Sequence, residues 1–193
     1  MKKATAFVLC LLASALLLAC LPIRGEESIY SSVVRLHVLA ASDTARDQAD
    51  KLAVRDRVLA EYGDLLSRAS SAEEAAALLE ERLSEIGALS REVLKERGSD
   101  ATVSVRLEKE RFARREYGAL TVPGGTYLSL RIAIGEGEGQ NWWCVLYPPL
   151  CTEAAMGEYT SADGYFTPVE EELIVGDTVI RLRFLEILEA IFG

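Results

Sequence analysis

The sequence predicts an α+β domain, a mostly antiparallel sheet of about four strands with helices packed on one face. Three observations carry that expectation. Apolar residues recur at helical spacing between residues 44 and 98, while on both sides of that block the period falls to two. Glycine and proline clusters at Pro123-Gly124-Gly125 and from Gly135 to Gly139 punctuate the alternating stretches. With 193 residues, half of them hydrophobic, the chain is long enough to bury one core of ordinary size.

Taken in order, SVVRLHVLA (residues 32–40) alternates Val34, Leu36 and Val38 with Arg35, His37 and Leu39 and is read as a strand. Ser42 and Asp43 then offer N-cap oxygens to a helix in which Ala45, Ala49, Leu52, Val54, Val58 and Leu59 make the apolar face, with Gly63 as its stop. Ser71 and Glu74 form a capping box before EEAAALLEERLSEIG, whose stripe is Leu78, Leu79, Leu83 and Ile86. A third helix, SREVLKERG, ends on Lys95, Arg97 and Gly98, the basic turn and glycine that suit a helix C-terminus. Alternation resumes at Val103, Val105 and Leu107, again over residues 127–134, and in WWCVLY. The last two strands are expected to form a hairpin closed by GEGEGQN. A polar stretch near residues 156–164 leads to a final amphipathic segment, VIRLRFLEILEAIFG.

The N-terminus sets the compartment. Lys2 and Lys3 precede an apolar run from Ala4 to Ile23, the pattern of an export signal, and the run is also close to the length that spans a bilayer. Residues 1–25 are therefore read as a signal peptide or N-terminal membrane anchor, 28–152 as an exported α+β domain, and 153–193 as a linker and C-terminal amphipathic segment. Leu17-Leu18-Ala19-Cys20 resembles a lipoprotein cleavage box, which makes Cys20 a candidate for lipidation. Cys144 and Cys151 are then the pair left in the exported part. Outside the cytosol such a pair is read as a disulfide, with two buried thiols as the alternative.

Charge and motifs exclude several functions. The net charge is −9, and without Lys2, Lys3 and Arg24 it becomes −12, so a cationic footprint for nucleic acid is not expected. GEGEG lacks the lysine of a phosphate loop and does not open a helix, so it reads as a connection and not as a nucleotide site. No metal site or cofactor is expected, because the lone histidine, His37, is far in sequence from both cysteines. Asp43, Asp47, Asp50 and Asp56 stand among Arg46, Lys51, Arg55 and Arg57, the composition of a solvated, ion-paired helix face. The readings left for His37 are a packed strand residue or, paired with Cys144 or a carboxylate, the centre of a secreted hydrolase. Trp142 and Trp143 must point to opposite faces of a strand. They are read as a stapled structural corner or as a recognition edge, and a sugar-stacking module on Trp143 is a further alternative.

Three stretches carry a resemblance: the export signal, RLHVLAASDTARDQADKLAVRD (Arg35 to Asp56), and YGALTVPGGTYLSLRIAIGEGEGQNWWCVLYPPLC (Tyr117 to Cys151). Together they resemble the stage II sporulation protein R family of endospore-forming bacteria. The resemblance implies a non-catalytic signalling protein, made in the forespore and exported into the space between the two sporulation membranes. There it would act on a membrane-embedded aspartic protease of the mother cell, which processes the sigma-E precursor. It supplies no catalytic residues. From the residues themselves, Asn141, Trp142 and Trp143 are partner-contact candidates, with His37, Ser42 and Asp43 as a second group, and membrane contact would come through the N-terminal segment.

Overall fold

The computed structural model describes residues 26–117 and 120–150 without interruption and, outside them, residues 5–7, 10–11, 13–14, 166–167, 170 and 174. Between Glu26 and Tyr147 the described residues form, in order, α1 (Glu26–Ser32), β1 (Val34–Leu39), α2 (Ala45–Ser67), α3 (Ala72–Glu80), α4 (Leu83–Glu96), β2 (Val103–Phe112), β3 (Arg115–Tyr117), β4 (Leu120–Val122), β5 (Gly125–Ile134) and β6 (Asn141–Tyr147). The main sheet has the order β2-β5-β1-β6, and β3 and β4 form a separate two-stranded ribbon. The expected α+β class with a mostly antiparallel, four-stranded sheet holds: β2–β5 and β1–β6 are antiparallel and β1–β5 is parallel.

The expected hairpin of the last two strands does not form. β1 lies between them, parallel to β5 and antiparallel to β6. Neighbouring strands are about 4.8 Å apart, so the six residues from Gly135 to Gln140 have reach enough to step over one strand. Alternation and a glycine-rich turn look the same for an adjacent and a split pair. The parallel β1–β5 contact is reached through the long crossover that contains the helices, as parallel pairing requires.

Two apolar layers sandwich the sheet. On one face Leu36 and Val38 of β1 and Leu130, Ile132 and Ile134 of β5 meet Val54, Val58 and Leu66 of α2, Ala75 and Leu79 of α3, and Ile86, Val93 and Leu94 of α4. On the other, Phe112, Tyr127 and Val145 are covered by Ile29 of α1, Leu150, Phe166 and Ile174. All six residues of β1 are therefore buried, including Arg35 and His37, instead of alternating between core and solvent. The short helix α1 and the β3–β4 ribbon were not anticipated.

The helix limits differ from the expected ones in ways that packing explains. Thr44, not Ser42 or Asp43, caps α2, its side chain accepting from the Asp47 amide; the helix passes Gly63 and ends at Ser67. Ser71 does cap α3, but the Glu74 carboxylate reaches back to the backbone and hydroxyl of Ser70. The stripe expected to form one helix breaks after Glu80, and α4 runs unbroken through Gly87, which sits 3.6 Å from Val105 for any added Cβ. At its end Gly98, with φ of 70°, closes a Schellman turn: its amide donates to Lys95 O and that of Ser99 to Leu94 O.

Candidate functional site

Strand alternation brings the sequence-predicted residues to two places. Trp142 and Trp143 point to opposite faces, as expected for neighbours in a strand. Trp142 joins the helix-side core, where the Arg55 guanidinium lies 4.1 Å above its ring. Trp143 packs against the second layer with His37, its register partner on β1.

The Trp143 ring stacks on the His37 imidazole with centroids 5.6 Å apart, and the Arg115 guanidinium of the β3–β4 ribbon lies 4.7 Å over Trp143. His37 also meets the edge of Phe112; Arg35 lies 4.6 Å over Phe112 and 5.5 Å over Tyr127, and Tyr127 is in edge contact with Tyr30 of α1. A column of rings and two guanidinium groups thus fastens the ribbon and α1 to the sheet. Each such contact contributes on the order of 1 kcal/mol, more where water is excluded.

His37 is held at both nitrogens. Nδ1 lies 2.9 Å from Glu110 Oε1 on β2 and Nε2 lies 3.1 Å from Asn141 Oδ1 on β6. Arg131 of β5 approaches the same Glu110 oxygen at 3.5 Å and Glu108 at 3.7 Å. Burial alone would raise the Glu110 carboxyl, but the hydrogen bond from His37 and the charges of His37 and Arg131 outweigh it, so the carboxyl is held below its usual range. Glu110, Arg131 and Arg115 were missed by sequence reasoning. The signal that could have found Glu110 and Arg131 is the same-face alternation of β2 and β5 opposite His37; no sequence signal placed the Arg115 ribbon.

Ser42 and Asp43 do not touch this cluster. They clasp the β1–α2 loop to the β5–β6 loop that introduces Asn141. The Gln140 amide donates to Asp43 Oδ1 at 2.7 Å, Lys51 Nζ donates to Gln140 O at 2.9 Å, and Gln48 Nε2 donates to Ser42 O at 2.9 Å. The Ser42 hydroxyl donates to Asp47. Gly139 donates to Ala40 O and passes so close to the Ser42 carbonyl that no Cβ fits. The charged run on α2 is accordingly not all solvated. Lys51 is buried in the clasp, where desolvation first and Arg55 second lower its pKa against the pull of Asp43, and Asp50 is buried against Arg97 Nε at 2.6 Å.

Cys144 is the register partner of Leu36 and lies in the helix-side core, on the face opposite His37. The His37–Cys144 pair weighed for a hydrolase is therefore not formed. Cys144 is disulfide-bonded; Cys151 and Cys20 lie outside the described residues. Among the described residues no group of three or more His, Cys, Asp or Glu side chains could hold a metal ion, and no helix is long and apolar enough to cross a membrane. Near the N-terminus, Phe7 and Leu11 are helical and exposed.

The sequence model of the stage II sporulation protein R family matches residues 30–156, the span that holds the whole sheet, the clasp and the His37 cluster. The chain belongs to the stage II sporulation protein R family. It is similar to stage II sporulation protein R of Bacillus subtilis (strain 168), with 38% identity over 123 residues. That alignment takes in 64% of this chain and 55% of the relative, so it spans about half the relative's length. No solved structure matches. Within the stage II sporulation protein R match lie all six partner-contact candidates, from His37 to Trp143.

Proposed function

We propose that this protein is an exported sporulation signal, made in the forespore, that activates a membrane-embedded aspartic protease of the mother cell and so drives processing of the sigma-E precursor. The observation that carries the reading is the family match across the entire sheet and its loops. Two features of the site support a binding role over hydrolysis. Both nitrogens of His37 are engaged, and Cys144 is buried on the other face in a disulfide.

Activation by a non-catalytic ligand requires that it bind the active receptor more tightly than the inactive one. In this reading Asn141 and Trp143, steadied by His37, meet the receptor, and the Ser42–Asp43 clasp fixes the loop that presents them. Trp142 supports the same strand from beneath. Residues 1–25 deliver the domain across the membrane as a signal peptide or hold it there as an anchor, with Cys20 as a lipid attachment point. Cys151 is the partner of Cys144.

The test is co-expression, in a non-sporulating host, of this chain, a cognate receptor protease and the sigma precursor, with immunoblotting for the shortened factor. Processing that needs all three is the expected result. Absence of processing with export verified overturns the reading. Trp143→Ala, folded and exported, is expected to reduce processing at least tenfold; normal processing by that variant rejects the contact assignment alone.

A further inference from the structure

His37 turns both ring nitrogens toward oxygen atoms, Glu110 Oε1 on one side and Asn141 Oδ1 on the other. A neutral imidazole has one N–H, and only the imidazolium has two. Glu110 is the stronger acceptor, so the first N–H belongs to Nδ1. The contact at Nε2 then has two states. When Nε2 carries a proton it donates to the Asn141 carbonyl. When Nε2 is a bare lone pair it repels that oxygen, and the carboxamide does better turned half over, with its amide donating to the ring. The two ends of a carboxamide have nearly the same shape, so the turn needs no repacking.

We propose that His37 and Asn141 form a proton-driven switch, in which the charge on the imidazole decides which end of the Asn141 carboxamide faces outward at the start of β6. With His37 charged, the amide N–H groups face outward and offer donors; with His37 neutral, the carbonyl faces outward and offers an acceptor. The groups that face the ring come from several strands. Glu110 on β2 bonds Nδ1 and the Trp143 face on β6 stacks on the ring. Arg131 on β5 competes for the Glu110 oxygen and is itself shared with Glu108. Arg115 on β3 lies over Trp143, and Arg35, two residues along β1, lies over Phe112.

The experiment is an NMR titration of the full chain across the range in which imidazoles change charge, about pH 5 to 8. It follows the ring nitrogens of His37 and the side-chain amide of Asn141. The expected result is one shared transition in both groups. Asn141 amide signals that stay still while the ring titrates overturn the proposal, as does a ring that does not titrate in the folded chain. The wild-type protein alone decides this, and the outcome does not depend on the receptor reading.

Discussion

Single residues on the clasp and in the cation–ring column have separable effects. Gly139 passes the Ser42 carbonyl with no room for a side chain. Gly139→Ala must push the two loops apart, and overpacking of this kind costs about 1–3 kcal/mol. A fall in the thermal midpoint of the purified domain with unchanged far-UV circular dichroism is the expected result. Glu110 gives a pH signature. Its carboxyl titrates below the ordinary 4.5 in the folded chain, because the His37 hydrogen bond and the nearby charges outweigh burial. A depressed carboxyl contributes its full stabilisation above the unfolded value and loses it as pH falls through the lower, folded value. Glu110→Gln is therefore expected to lower the urea midpoint at neutral pH and to converge with the parent protein in acid, which a series of urea melts across that range checks.

At the scale of elements, the parts legible in the sequence were those governed by local periodicity. The three long helices, the strand at Val34, the Ser71 cap and the opposed tryptophans all follow from spacing between near neighbours. Whatever depended on distant contacts was not legible. The insertion of β1 between β5 and β6 is decided by which partner β1 prefers, and no turn signal reports that. The burial of Arg35 and His37 follows from a second layer assembled from α1, Leu150, Phe166 and Ile174, segments far apart in the chain. Half of the candidate site was visible: His37, Asn141 and Trp143 meet, whereas Glu110, Arg131 and Arg115 enter from strands whose register was unknown. The α1 contribution is testable. Ile29 is fully buried, Tyr30 Oη donates to Gly124 O at 3.2 Å, and Ser32 donates to Glu170 at 2.9 Å. Ile29→Ala should cost about 2–5 kcal/mol, read from chemical denaturation, and should expose the second layer to proteolysis before the first. Equal protection of both layers in that variant would show that α1 is not a cover of its own.

Across the whole molecule, the net charge of −9 and the disulfide at Cys144 bear on solubility and stability. If Cys144 is joined to Cys151, the closed loop of eight residues stabilises the fold by about 2.5 kcal/mol through loss of unfolded-state freedom. Reduction is then expected to lower the melting temperature by several degrees, and unchanged melting argues against that bond. The topology has a further consequence, for delivery. If the chain crosses a membrane as proposed above, it emerges from the pore N-terminus first, so β1 arrives early. Its pairing partners begin at Gly125 and Asn141, about a hundred residues later. The central strand must wait, unpaired, until nearly the whole matched region has crossed. On that reading closure of the sheet waits until Tyr147 has crossed, leaving the moving chain free of a fold that could jam the pore.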